Sequence, residues 1–130
     1  MRPSPVAAAV LIALGTAVPA HAARAVPAPE HGIFLTVSGT DQTWIRGVLL
    51  DCGPTPPPGP HPQAAKACEA LALANGDFDA LADDPHACTK EYDPVKVRAT
   101  GTYGGRAVDW RRTYPNACAL DADTGYVFRF

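Results

Sequence analysis

Four cysteines, at positions 52, 68, 88 and 118, are the feature that most restricts what this 130-residue chain can fold into. An even number of cysteines in a small exported domain normally forms a disulfide framework, whereas cytosolic thiols stay reduced. Four cysteines allow three pairings, and the sequence alone does not select one. Each disulfide would contribute on the order of 3 kcal/mol to stability, a large share for a small domain. We therefore predict one small domain stabilised by two disulfides.

The first residues predict export. Met1–Pro5 carries one positive side chain, and an apolar run from Val6 to Val18 follows it. Ala20-His21-Ala22 then has the small-x-small pattern that signal peptidase recognises. A membrane-spanning helix needs roughly 20 apolar residues, so a membrane anchor is the weaker interpretation. We predict a secreted, extracellular protein without membrane attachment, composed of a signal peptide (1–22), a flexible arm (23–32) and a folded domain (33–130).

Charge and composition exclude several functional classes. The formal net charge is −2, and nucleic-acid binding draws its affinity from many Lys and Arg side chains, so we expect no nucleic-acid partner. The histidines after the signal peptide, at 31, 61 and 86, are scattered, and no nucleophile–base set stands out, so we predict that the protein is not an enzyme. A zinc site would have to combine distant residues without a C-x-x-C pair, namely His61, His86, Cys52 and Cys68. We therefore expect no metal and no cofactor.

The clearest secondary-structure pattern is a hairpin at residues 95–114, centred on Gly104-Gly105. Two glycines suit a tight turn that requires positive φ at both positions. Counting outward from this turn predicts three pairs: Val95–Tyr114, Ala99–Trp110 and Gly101–Val108. Polar residues occupy the alternate positions, as expected for a ribbon with one buried face. Arg112 falls on the apolar face opposite Val97, so its guanidinium needs an acceptor there.

The remaining pattern predicts a sheet covered by helix. Strands are expected at 33–38, 44–51 and 126–130, with a turn at Gly39–Gln42. The Ala-rich stretch Gln63–Ala74, between Pro62 and Asn75-Gly76, predicts a helix whose apolar face includes Cys68, Leu71 and Ala72. Phe78 and Leu81 predict a short second helical turn. The fold class is therefore α+β: a single antiparallel β-sheet of about five strands, covered by one main helix and a short second helix, with two disulfides.

A proline-rich loop separates the first two strands from the helix. Six prolines in the eleven residues from Cys52 to Pro62 exclude both helix and sheet interior. We interpret the segment as a surface loop. The alternative interpretation is a proline-rich ligand for another domain.

The segment from His86 to Val95 carries the functional prediction. Cys88 stands two residues before Lys90, and Pro94 stands four residues after it. Asp93 precedes the proline, which pushes its backbone toward an extended conformation. A disulfide at one end and a strand at the other would hold the segment extended without pairing it. That is the shape that a protease cleft accepts from a substrate.

With these residues the sequence resembles the Streptomyces-type subtilisin inhibitors, over the range from Ile33 to Phe130. The resemblance rests on seven motifs: Leu35-Thr36-Val37, the loop from Cys52-Gly53-Pro54 to His61-Pro62, Ala67-Cys68-Glu69-Ala70-Leu71, Gly76–Leu81, Cys88–Val95, Asn116-Ala117-Cys118 and Val127–Phe130. It implies an exported α+β inhibitor of serine proteases that forms a homodimer through its sheet.

The resemblance also implies a role for individual residues. The disulfides would be Cys52–Cys68 and Cys88–Cys118. Lys90 and Glu91 would flank the bond offered to the protease, Cys88, Thr89 and Tyr92 would complete the protease-binding loop, and Asn116 would support it from behind. A lysine before the reactive bond favours trypsin-like proteases, and the resemblance adds subtilisin-like ones. The predicted function is substrate-like, tight-binding inhibition. The alternatives are a secreted binding or structural module on the same scaffold without potent inhibition, and a small hydrolase or metal-binding protein.

Overall fold

The computed structural model describes residues 31–130. The predicted signal peptide and the predicted arm up to residue 30 lie outside the described residues. The elements in chain order are β1 (Gly32–Ser38), β2 (Ile45–Leu50), α1 (Ala64–Leu73), β3 (Val95–Tyr103), β4 (Arg106–Tyr114) and α2 (Ala117–Thr124). Short 3-10 turns lie at Thr40–Gln42, Phe78–Ala80 and Gly125–Phe128. None of the helices within residues 31–130 has the length and the hydrophobicity that a membrane span requires.

The strands form one antiparallel sheet in the order β2-β1-β3-β4. Hairpin β3–β4 has the predicted register, since all three predicted pairs are present: Val95–Tyr114, Ala99–Trp110 and Gly101–Val108. Gly104 and Gly105 have φ values of 54° and 77°, as the tight turn requires. Alternate residues of β3 are buried, which gives the ribbon one apolar face. The α+β class and the single antiparallel sheet are confirmed.

The core lies between one face of the sheet and a layer made of α1, α2 and the C-terminal turn. Leu35 and Leu50 of the sheet are fully buried, together with Leu71 of α1 and Val127 of the turn. Each such side chain contributes about 1.5–3 kcal/mol through burial. Helix α1 was predicted correctly, but its buried face is rotated from the expected one. It buries Ala67 beside Leu71 and leaves the expected Ala72 exposed.

The predicted fifth strand at 126–130 is wrong, and the sheet has four strands. Residues Gly125–Phe128 form a 3-10 turn in which the consecutive side chains of Val127 and Phe128 are 0% and 6% exposed. Successive side chains of a strand point to opposite faces, so a strand on this sheet could not bury both. The turn points both into the core, where the Phe128 ring lies 5.9 Å from that of Trp110.

Helix α2 was not predicted, although its end signals are present in the sequence. Asn116 is its N-cap, and the Asn116 side chain accepts a hydrogen bond from the backbone N–H of Ala119 at 2.8 Å. Gly125 ends it with a φ of 56°. The short second helix expected around Phe78 is a single 3-10 turn, Phe78–Ala80. Helix α2 directly follows β4. Residues 116–118, at the start of α2, therefore lie beside the segment that precedes β3.

Candidate functional site

Residues 82–94 contain no helix or strand, and we call this segment the exposed loop. The side chains of its centre, from Thr89 to Tyr92, are exposed, and Tyr92 is 79% exposed. Among the described residues, neither Lys90 nor Glu91 forms an ion pair. The loop therefore offers a free ammonium group and a large aromatic side chain to a binding partner.

Asn116 connects the exposed loop to α2. Its side-chain Nδ2 donates hydrogen bonds to the carbonyl oxygens of Thr89 at 3.3 Å and Glu91 at 2.8 Å. These two carbonyls flank Lys90, so one amide group fixes the backbone on both sides of that residue. The same side chain caps α2 through Oδ1. The helix cap thus orients the amide that holds the loop.

One disulfide and one backbone hydrogen bond hold the exposed loop on the two sides of Lys90. The four cysteines form Cys52–Cys68 and Cys88–Cys118, the sequential pairing. Cys88–Cys118 joins the loop to the first turn of α2 across a Cα–Cα distance of 5.7 Å. On the other side of Lys90, the N–H of Asp93 donates to the carbonyl of Pro115 at 2.9 Å. The loop is therefore held on both sides of Lys90 while its centre stays exposed.

Helix α2 is itself held to β4 by charged side chains. Arg112 donates hydrogen bonds to Asp123 of α2 at 3.0 Å and to Asp79 at 2.8 Å, which are the acceptors that its position on the apolar face requires. The Tyr114 hydroxyl also donates to Asp123. Burial raises the pKa of Tyr114 to about 12, and its hydrogen bond to Asp123 acts in the same direction. The contact with Tyr114 raises the pKa of Arg112. Near neutral pH, Tyr114 therefore stays protonated and Arg112 stays charged.

The residues of the zinc hypothesis are engaged in structural bonds. His61 is 4% exposed, and its Nε2 donates to the Val127 carbonyl at 2.9 Å while its Nδ1 accepts from the Gln63 N–H at 3.0 Å. One group within residues 31–130 brings metal-ligand atoms together, namely His86, Cys88 and Cys118. The two sulfurs of this group are bonded to each other in the Cys88–Cys118 disulfide, so they are not thiolates that could bind a metal.

The geometry is therefore that of a chain that presents a fixed, exposed, disulfide-anchored loop. A sequence model of the subtilisin inhibitor-like domain matches residues 30–116, which include this loop and Asn116. The chain belongs to the subtilisin inhibitor-like family.

Known members of the subtilisin inhibitor-like family resemble the chain over most of its length. The "subtilase-type protease inhibitor" of Streptomyces fradiae is 41% identical over 108 residues (79% of this chain, 75% of that protein). The one of Streptomyces coelicolor is 41% identical over 117 residues (86% and 80%). The crystal structure of Streptomyces caespitosus sermetstatin in complex with Bacillus licheniformis subtilisin is similar, with a TM-score of 0.61 and 31% identity over 77% of this chain and 98% of that chain. Protease inhibitors are not enzymes, so the family assignment agrees with the prediction that this protein is not one.

The subtilisin inhibitor-like site contains contacts that sequence reasoning missed. The hydroxyl of Thr40 donates to the carbonyl of Pro94 at 3.3 Å, so the β1–β2 turn touches the downstream end of the exposed loop. The bond between Asp93 and Pro115 was also not expected. Both contacts join residues distant in the chain, and no local pattern marks them. The capping signal at Asn116, in contrast, could have revealed α2.

Proposed function

We propose that the protein is a secreted serine protease inhibitor that presents Lys90–Glu91 to the protease as a substrate-like reactive bond. The observation that supports this most is Asn116, which fixes the carbonyls on both sides of Lys90 while the Lys90 side chain stays exposed. A protease cleft binds an extended backbone with one side chain in its specificity pocket. The relation of the chain to sermetstatin, whose structure is a complex with subtilisin, supports a serine protease as the partner.

Rigidity makes such a loop an inhibitor instead of a substrate. A flexible peptide loses conformational entropy when it binds, about 0.5–1.5 kcal/mol for each long side chain that becomes fixed. The exposed loop is already ordered by Asn116, by Cys88–Cys118 and by the Asp93–Pro115 bond. Less of the interaction energy is then spent on ordering, and protease–inhibitor interfaces of ordinary size can be very tight.

The same restraints oppose cleavage. The protease serine attacks the carbonyl carbon of Lys90, and the Glu91 nitrogen leaves as an amine after receiving a proton from the protease histidine. Cys88–Cys118 retains the Lys90 side of the broken bond, and Asn116 holds the Glu91 carbonyl. The amine stays beside the acyl-enzyme and can attack it again, with an effective molarity that can reach ~10⁵ M. Resealing therefore competes with hydrolysis by water.

The side chain of Lys90 would direct the choice of protease. Its ammonium group fits a pocket with a carboxylate at the bottom, as in trypsin-like proteases. Its aliphatic stem can also lie in a shallower apolar pocket, which permits inhibition of subtilisin-like proteases.

Titration of trypsin and of subtilisin with the protein tests the proposed function. We expect peptidase activity to fall in proportion to the inhibitor added, at nanomolar concentrations. It should reach zero at about one inhibitor chain per protease molecule. Full activity of both proteases in the presence of excess protein would refute inhibition and favour a binding module on the same scaffold.

Changing Asn116 to aspartate should separate its two tasks. Aspartate is as good an N-cap as asparagine, so Asn116→Asp should keep α2. It has no amide donors, and its carboxylate would face two carbonyl oxygens. Two neutral hydrogen bonds of about 0.5–1.5 kcal/mol each are lost, so we expect protease affinity to fall about 10- to 100-fold. Inhibition constants and thermal unfolding midpoints are the measurements.

The matched variant is Asn116→Ala, which removes the cap as well as the donors. It should lower the unfolding midpoint more than Asn116→Asp does, because loss of an N-cap costs about 1 kcal/mol. Wild-type affinity of Asn116→Asp would show that the amide donors do not support binding.

We further propose that the protein forms a homodimer through the outer face of its sheet. Phe34 and Leu49 are opposite each other on β1 and β2 and are 43% and 38% exposed, and Ile45 is 58% exposed. Apolar side chains clustered on one face favour burial against a second copy. Sedimentation equilibrium should show a dimer that is weakened by Leu49→Lys and not by Leu73→Lys on α1; a wild-type monomer would refute this proposal.

The proposal of secretion rests on residues 1–22, which we propose are removed as a signal peptide. Both pairs of cysteines are bonded, and disulfides persist in oxidising compartments. The intact mass of the protein in the culture medium should correspond to a chain that begins at residue 23. Retention of the full-length chain inside the cell would contradict this.

A further inference from the structure

The upstream half of the exposed loop, residues 82–87, has few restraints of its own. Among the described residues, the segment from 82 to 92 donates one backbone–backbone hydrogen bond. It runs from the N–H of Asp84 to the carbonyl of Ala122 at 2.8 Å. The side chains from residue 82 to residue 87 are exposed. The other restraints on this segment, which leads directly into Cys88 and Lys90, come from side chains.

The Arg129 side chain makes these contacts. Its guanidinium donates from Nη2 to a carboxylate oxygen of Asp84, in the loop. It also donates to both carboxylate oxygens of Asp121 on α2, with the Nη2–Oδ2 distance at 2.9 Å. One guanidinium thus joins the loop segment to the helix that carries Cys118. Charge-assisted bonds in a fork geometry are stronger and more directional than ordinary ones.

Neighbouring groups hold both the backbone and the side chain of Arg129. It follows Val127 and Phe128, whose side chains are buried in the core, so its backbone is anchored. The guanidinium carbon lies 4.5 Å from the centroid of the Tyr126 ring, and the side chain is 27% exposed. Its hydrogen bond lowers the pKa of Asp84, and the bonds to Asp121 and Asp84 raise the pKa of Arg129 itself. Asp84 and Arg129 are therefore both charged at neutral pH.

His86 forms a second contact between the loop segment and α2. The His86 Nδ1 donates to the carbonyl of Asp84 at 2.9 Å, and its Nε2 lies 3.5 Å from the carboxylate of Asp121. Asp121 is thus the point on α2 where the segment is held, and Arg129 is the side chain that links Asp121 to Asp84. Isolated surface ion pairs contribute only about 0–1 kcal/mol, so the global stability depends little on this link. Its effect is local.

We propose that Arg129 is a positioning residue for inhibition: it fixes the segment before Cys88 against α2 and so keeps the cleaved Lys90 end aligned for resealing. This inference rests on the proposed function. When the segment is free to move, the acyl group and the Glu91 amine separate more often. Displacements of about 1 Å can change rates by up to about 10²-fold, so water would hydrolyse the acyl-enzyme more frequently.

The test variant is Arg129→Gln, which removes the guanidinium and cannot bridge two carboxylates. With a catalytic amount of trypsin, we expect the Lys90–Glu91 bond to be hydrolysed about tenfold faster than in the wild type, with a small change in unfolding midpoint. Mass spectrometry of the cleaved chain measures this rate. The matched control is Arg98→Gln, which removes an exposed ion pair with Asp109 on the sheet and should leave the rate unchanged.

A double-mutant cycle and hydrogen exchange complete the test. Asp84→Asn should raise the hydrolysis rate as Arg129→Gln does, and the double variant should add little, because both break the same link. In the free protein, exchange of the Asp84 amide, which donates to the Ala122 carbonyl, should accelerate in Arg129→Gln while that of Val97 and Ala99 in β3 stays constant. This measurement does not depend on inhibition, so it supports or overturns the positioning even if the wild type inhibits neither protease.

Three results would overturn the inference. Unchanged exchange of the Asp84 amide would show that Arg129 does not hold the segment. Faster exchange with an unchanged hydrolysis rate would show that the segment does not control resealing. Equal acceleration of exchange in the loop and in β3 would show a global loss of stability instead of a local one.

Discussion

Lys90→Met is expected to weaken binding to trypsin by a factor of about 10² to 10³ and binding to subtilisin by less than about tenfold. Methionine is similar to lysine in length, so the change mainly removes the charge. In a trypsin-like pocket the buried carboxylate then loses its partner, and truncation of one member of such a pair costs about 2–5 kcal/mol. A shallow apolar pocket accepts methionine about as well as the lysine stem. Inhibition constants for both proteases measure the difference.

The control for Lys90→Met is Lys96→Met on β3. Lys96 is exposed and lies in the sheet, outside the exposed loop. Its replacement should leave both inhibition constants unchanged. Equal losses with trypsin and subtilisin after Lys90→Met would show that Lys90 does not occupy the specificity pocket. Equal losses from both substitutions would point to a general effect of charge.

Removal of the disulfide by Cys88→Ala together with Cys118→Ala is expected to turn the inhibitor into a substrate. The bridge spans 30 residues of sequence, and its loss should cost about 4 kcal/mol of stability by loop-closure entropy. The larger effect is on turnover, because the cleaved Lys90 end is no longer tied to α2. We expect the hydrolysis rate of the Lys90–Glu91 bond to rise about 10²-fold or more. Time courses of cleavage by trypsin measure it.

The chain supplies a matched control in its second disulfide. Cys52–Cys68 spans 16 residues and contributes about 3 kcal/mol by the same arithmetic, but it joins the proline-rich loop to α1. Its removal should lower the unfolding midpoint by a comparable amount and leave the hydrolysis rate low at temperatures where the variant stays folded. If both removals accelerate hydrolysis equally, global stability controls turnover and the bridge at Cys88 has no special role.

The parts of the fold that were predicted correctly are those marked by local patterns. The β3–β4 hairpin has the predicted register because a Gly-Gly turn fixes the first pair and the period of two then fixes all the others. Helix α1 was found because Ala-rich sequence lies between a proline and Asn75-Gly76. The need of Arg112 for an acceptor also followed from register alone. Its partners, Asp79 and Asp123, could not be named, since they come from other elements.

The errors occurred where local pattern and tertiary packing disagree. The C-terminal apolar residues fit a strand as well as a turn, and only the space between α1, α2 and the sheet decided that Val127 and Phe128 both point inward. Helix α2 spans eight residues, so it depends more on its cap and its contacts than on helix propensity. Its capping residue, Asn116, was predicted to support the loop, and its capping role was not expected.

The sequence by itself determined the family, the β3–β4 hairpin and the loop that carries Lys90, because motifs, alternation and turn signals are properties of neighbouring residues. Only the tertiary structure decided how that loop is held. Asn116 contacts the carbonyls of residues 27 and 25 positions away, and Arg129 reaches Asp84 across 45 positions. Such contacts depend on where β4, α2 and the C-terminal turn pack, and packing is a property of the whole chain. The proposed reactive bond, Lys90–Glu91, can therefore be predicted from the sequence, whereas the rigidity of the loop around it results from the fold.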